Sequence, residues 1–188
     1  MASPDFSLSV ADCPLIEIEG WDGTLGQFEK SVTASLGTKL PALVGETVRH
    51  NGLLVIRVAP RRLWLALDDG AQAPSLGVDP DLGCSVSLGE GRVRLRMAGA
   101  DIARVLSKCI TVDWRAPAAA PGRAVLTSFH HVPVLFLRTG ETACELIVPR
   151  SFSRSLSDWI ADAAGRERTR RERSPQEPLH GLAPWMIS

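Results

Sequence analysis

The spacing of apolar residues changes along the chain, and each change marks an element. Leu25, Phe28, Val32 and Leu36 recur at three- and four-residue intervals, which puts them on one face of a helix. Thr24 stands where a cap is needed, Gly37 can close the helix in a left-handed turn, and Pro41 stops its continuation. In the next stretch, ETVRHNGLLVIRVAPRRLWLALDDG, Asn51-Gly52 lies between two β-like runs, a strong hairpin signal. Ala59-Pro60-Arg61 turns the chain again, so three antiparallel strands are predicted.

A second cycle follows a connector at residues 68–90 that is rich in Asp, Gly, Pro and Ser. Residues 92–97 alternate, with Arg92, Arg94 and Arg96 on one face and Val93, Leu95 and Met97 on the other, the signature of a half-buried strand. Ile102, Val105, Leu106 and Cys109 predict a helix of about ten residues. Pro117 and Pro121-Gly122 make the following stretch an irregular crossover. Two strands are expected at 124–130 and 132–138, with Pro133 placing the second near an edge or bulge, and a buried strand at 144–148. Ser151 or Ser153 caps a closing helix whose predicted buried face is Phe152, Leu156, Trp159, Ile160 and Ala163.

The two cycles share an order, a helix and then three strands, which implies a duplicated unit. The expected fold class is α+β, two similar halves of antiparallel sheet covered by helices. The expected divisions are an N-terminal arm at 1–22, a first half with its connector at 23–90, a second half at 91–173 and a tail at 174–188.

Charge adds a constraint: 21 basic and 21 acidic residues balance, so no global field draws this chain to nucleic acid or anionic lipid. No apolar run is long enough to cross a bilayer, and the N-terminus lacks the basic-then-apolar pattern of a secretory signal. Cys13, Cys84, Cys109 and Cys144 are far apart and have no zinc-ligand spacing, as expected of free thiols in a reduced, cytoplasmic setting.

Candidate chemistry is sparse. There is no P-loop, no dinucleotide fingerprint and no nucleophile elbow, and tyrosine is absent. His130-His131, read as neighbours on a strand, would point to opposite faces and could not chelate one metal. Asp68-Asp69 in a Gly-flanked turn reads as a solvated loop. No catalytic, cofactor-binding or metal-binding residue is assigned. The candidates that remain are partner contacts: the Arg92/Arg94/Arg96 stripe, able to pair with carboxylates on a neighbouring strand or subunit, and the apolar Trp185, Met186 and Ile187 ending a polar tail.

One succession of residues says more. The basic strand at 92–97 is followed by Gly99, Asp101, Val105-Leu106, Lys108-Cys109, Asp113 and Pro121-Gly122. Then come Thr127, Val134-Leu135 with Arg138, and Val148-Pro149-Arg150-Ser151-Phe152 with Trp159 downstream. That succession resembles the gamma subunit of heterotetrameric sarcosine oxidase, with VPRSF and the later Trp its most specific part. The resemblance implies the fold of the folate-binding aminomethyltransferases and the N-terminal domain of the tRNA-modifying GTPases. It implies a small subunit without a cofactor of its own, seated chiefly against the alpha subunit of a complex that also holds beta and delta subunits. In such complexes the other subunits carry FAD, FMN, NAD and zinc, sarcosine is oxidatively demethylated, and the one-carbon unit passes to tetrahydrofolate. Two alternatives stay open: a related N-methyl amino acid dehydrogenase such as one acting on N-methylglutamate, and a stand-alone folate-binding protein.

Overall fold

A computed structural model describes residues 6–89 and 91–173. The chain runs β1 (Ser7–Asp12), β2 (Leu15–Gly20), α1 (Leu25–Leu36), β3 (Thr47–His50), β4 (Leu53–Ala59), β5 (Arg62–Leu67) and β6 (Gly83–Gly89). It continues β7 (Arg92–Ala98), α2 (Ile102–Leu106), β8 (Ala124–Phe129), β9 (Val132–Arg138), β10 (Ala143–Pro149) and α3 (Ser153–Arg173). All pairings are antiparallel and form two five-stranded sheets. The N-sheet has order β6-β2-β5-β4-β3 and the C-sheet order β1-β7-β10-β9-β8.

These orders are the same order twice. In each unit a leading strand, a second strand, a helix and three further strands follow one another, and the leading strand leaves for the opposite sheet. Thus β1 pairs with β7, and β6 pairs with β2. The stretch expected to be an arm is therefore two strands, of which β2 is internal to the N-sheet. Likewise the connector ends in β6. Both were hidden because their partners lie far along the chain, and Ser-rich edge strands such as SLSV and SVSL have little apolar signal of their own.

The strands alternate their side chains, so each sheet has two apolar faces. Leu54, Ile56 and Trp64 of the N-sheet meet Leu135, Leu137 and Ile147 of the C-sheet in a central core. The outer face of the N-sheet packs Val55, Leu63 and Leu65 against Phe28 and Val32 of α1. The outer face of the C-sheet packs Leu95, Phe136 and Leu146 against α2 and α3. The result is four layers: helix, sheet, sheet, helices.

Local chemistry shapes the connections. Asn51 and Gly52 both take positive φ, 48° and 74°, as the predicted two-residue hairpin requires. In the second unit the equivalent turn is His130-His131, with His130 at φ 52°, so these histidines occupy a turn and not a strand. Gly37 closes α1 in the left-handed conformation, its N–H donating to the Thr33 carbonyl at 3.0 Å. Thr24 does not cap α1; its hydroxyl lies 3.3 Å from the Leu82 carbonyl, tying the helix start to the approach to β6. Ser153 likewise donates to the Arg150 carbonyl at 2.8 Å rather than receiving from the helix. Helix α2 is shorter than predicted, although hydrogen-bonded turns carry on to Ile110. Pro133 pairs with Ser128 of β8, while β10 contacts β9 only from Leu135 onward, so no ladder bond is lost at the proline.

Candidate functional site

The alternation of β7 does put its three arginines on one face, and that face looks into the space between the sheets. Arg94 is 0% exposed. Its guanidinium meets Asp68 at 2.9 Å, Glu145 at 3.4 Å and the Leu67 carbonyl at 3.2 Å. Arg96 pairs with Asp69 at 2.8 Å and Glu145 at 3.5 Å. Arg92 lies over the Trp64 ring, 5.6 Å from its centroid. Trp64 in turn donates its indole N–H to Glu17 at 2.7 Å. The stripe thus links β7 to the end of β5 and to β10. Arg94 cannot touch a partner, which corrects its expected role: period two shows which residues share a face, but not that a second sheet covers it. The Trp185, Met186 and Ile187 contacts lie outside the described residues.

Electrostatics inside this network are one-sided. Burial alone would raise the Asp68 carboxyl, but hydrogen bonds and charge from Arg49 and Arg94 outweigh it and hold Asp68 below the usual carboxylate range. Burial pushes the Cys13 thiol up, against the pull of Arg94 at 3.8 Å, and burial pushes Cys144 up to about 12. Such thiols stay protonated and are poor nucleophiles at neutral pH. Among the described residues, no group of three or more His, Cys, Asp or Glu side chains could hold a metal ion. No helix there is long and apolar enough to cross a membrane.

The outer surface offers two clefts beside β8. One, of about 430 Å³, is lined by Ser107, Lys108, Thr111, Thr127, Ser128 and His130. Lys108 is held by Glu167 at 2.6 Å. The other, of about 270 Å³, is apolar, with Val44, Ile56, Val58, Leu126 and Leu135 in its walls. Leu126 is 52% exposed there. The edge of β8 itself is guarded at both ends, by a bridge from Glu46 to Arg123 and one from Ile110 to Phe129.

Helix α3 supplies a third feature. Leu156, Ile160 and Ala163 are buried as predicted, but Phe152 and Trp159 are 46% and 47% exposed. Phe152 belongs to a 3-10 turn ahead of the helix and so falls out of its phase. Trp159 flanks the buried stripe and leans on the β8–β9 hairpin, stacked on Phe129 at 5.8 Å with the edge of His130 at 4.5 Å.

Comparison with known proteins agrees with this architecture. The family described as SoxG, "Sarcosine oxidase, gamma subunit family", matches residues 27–166. The sarcosine oxidase subunit gamma of Corynebacterium sp. (strain U-96) is 30% identical over 139 residues, covering 71% of this chain and 67% of that relative. Its counterpart from Arthrobacter sp. is 29% identical, covering 71% and 68%. Among solved structures, a chain of the heterotetrameric sarcosine oxidase from Corynebacterium sp. U-96, in complex with pyrrole 2-carboxylate, superposes with TM-score 0.74 and 27% identity, covering 87% of each chain. The glycine cleavage system aminomethyltransferase T from Bartonella henselae, 20% identical with TM-score 0.52 over 81% of this chain and 45% of its own, shares the fold. With its doubled antiparallel fold and a family match across both units, this chain belongs to the sarcosine oxidase gamma subunit family.

Proposed function

We propose that the chain works as the non-catalytic gamma subunit of a cytoplasmic, heterotetrameric flavoenzyme that oxidatively demethylates sarcosine. The observation that carries this reading is the superposition on a chain of a heterotetrameric sarcosine oxidase over 87% of both chains. The placement of reactive groups supports it. Arg94, Glu145 and Asp68 are spent on holding two sheets together, and Cys13, Cys109 and Cys144 are buried with raised thiol pKa values. On this reading FAD, FMN, NAD and zinc reside in the alpha, beta and delta subunits, which also pass the one-carbon unit to tetrahydrofolate. The chain contributes shape, chiefly to the alpha subunit.

Native mass spectrometry of the chain, purified by a mild tag from its own host, tests the reading together with an absorbance spectrum of the same sample. Three further polypeptides and a flavin band are expected. A lone, colourless chain that binds added tetrahydrofolate would replace the subunit reading with a stand-alone folate-binding role, for which the likeness to aminomethyltransferase T gives only the fold.

A further inference from the structure

The VPRSF motif and its downstream tryptophan explain only half of themselves through folding. Val148 is core, and Arg150 ties the start of the closing segment to β1 through Asp12 at 2.8 Å. The two largest side chains of the motif, Phe152 and Trp159, do the opposite and stand nearly half in solvent. Trp159 is nonetheless held in place, because Phe129 stacks on one face at an interplanar angle of 19° and His130 meets it edge-on at 77°. A fixed, exposed indole has little rotamer freedom left to lose when it is covered, which is the property of an interface anchor.

The charge along the same helix describes what covers it. Arg166 stands seven residues after Trp159 and so on the same stripe of α3. The last two turns, residues 166–173, contain five arginines and two glutamates. Of these, Glu167 turns inward to Lys108, and Arg166 is paired with Asp162 at 2.6 Å. Arg168 is exposed. By sequence these two turns carry a net charge of +3, so the helix is aromatic near its start and basic in composition at its end. The geometry points to one occupant: an apolar surface of a partner subunit, rimmed by carboxylates on the side that meets the end of α3, with Phe152 and Trp159 as the anchors. This inference rests on the subunit reading above and names the face through which it operates.

Hydroxyl-radical footprinting of the complex isolated from its host, compared with the free chain, tests it directly. Labelling of Trp159 and Phe152 is expected to fall several-fold in the complex, while Leu43 and Leu126, exposed on the far side of the C-sheet, keep their labelling. Equal labelling of Trp159 in both states, with Leu126 protected, would overturn the inference and leave the subunit reading standing. Failure to recover any partner would instead remove that reading itself. Phe152→Ser and Arg166→Glu provide a second measure, because both residues are exposed and the free variants should melt close to the parent. Phe152→Ser is expected to weaken association about thirtyfold, the loss typical of a truncated anchor. Arg166→Glu is expected to sharpen dissociation as salt is lowered, where like charges would repel. Unchanged retention of both variants in the complex would overturn the proposal.

Discussion

Arg94 shows how one side chain can decide whether two sheets stay together. With Arg94 fully buried and Glu145 nearly so, replacing Arg94 by Leu leaves Glu145 with only Arg96, at 3.5 Å, as counter-charge. The expected loss is about 3 kcal/mol by urea unfolding, the low end for breaking a buried pair, because Arg96 and Arg49 still face the two carboxylates left behind. The double variant Arg94→Leu with Glu145→Leu should recover much of that loss, and failure to do so would mean that Asp68 and the Leu67 carbonyl carry the interaction. Acid should act on the same neighbourhood. Asp68 is held low by Arg49 and Arg94, and Glu46 is held low first by the Leu43 backbone N–H, with Ala42 and Arg123 assisting against burial. The folded chain then binds fewer protons than the unfolded one between the depressed values and ordinary carboxylate values. Stability from these groups is complete above about pH 5 and declines as pH falls through the folded values. Melting temperatures from pH 7 to pH 2.5 should show that decline, and Glu46→Gln should flatten it. The thiols offer a contrasting check by reactivity. In the native chain Cys84, the one cysteine that is not buried, should be alkylated first, and Cys144 should resist until denaturant is added.

At the level of elements, the packing of α1 on the N-sheet depends on two glycines that face each other, Gly20 in β2 and Gly83 in β6. Phe28 occupies the space that side chains would take: a Cβ on Gly83 would lie 2.4 Å from the Glu19 carbonyl and 2.8 Å from the Phe28 ring. Gly83→Ala should therefore cost about 1–3 kcal/mol, since the backbone oxygen cannot move aside. The same substitution in the interior of α3, at Gly165, where a Cβ meets nothing within 4 Å, should instead stabilise by about 0.5–1 kcal/mol. Paired thermal melts decide both signs. What the sequence disclosed of such elements follows from how local their causes are. The α1 stripe, the Asn51-Gly52 hairpin and the alternation of β7 are set within a few residues and were legible. The strands β1 and β6 were not, because each is stabilised by a strand more than sixty residues away. The arginine face was legible as a face, but its burial depends on a second sheet. Phe152 and Trp159 are more exposed than a helical wheel implies, because Phe152 lies in the 3-10 turn before α3 and Trp159 sits at the edge of the buried arc.

Across the whole molecule, the exchange of leading strands makes the duplicated units mutually dependent. The C-sheet takes its edge strand from the first unit, and the N-sheet takes β6 from the start of the second. Each unit separated from the other would lose an edge strand and expose the apolar face that now forms the central core, along with the buried charges of Arg94 and Glu145. A rigid body of this kind suits a subunit that presents a fixed surface, since neither half can shift without breaking strand pairing in both sheets. The chain should accordingly unfold as one cooperative unit. Trp64 reports on the N-sheet through its bond to Glu17, and Trp114 reports on the second unit through its edge contact with Phe136 at 5.4 Å. Two variants, each retaining only one of these indoles with phenylalanine at the remaining tryptophans, would follow the halves separately by fluorescence in urea. Each should show a single transition, and its midpoint should match that of its own far-UV circular dichroism. A fluorescence change from Trp64 that runs ahead of, or behind, the loss of total secondary structure would show that one unit stands without its exchanged strand. In that case the docking face on α3 would rest on a half able to fold alone, and rigidity would have to come from the partner subunit instead.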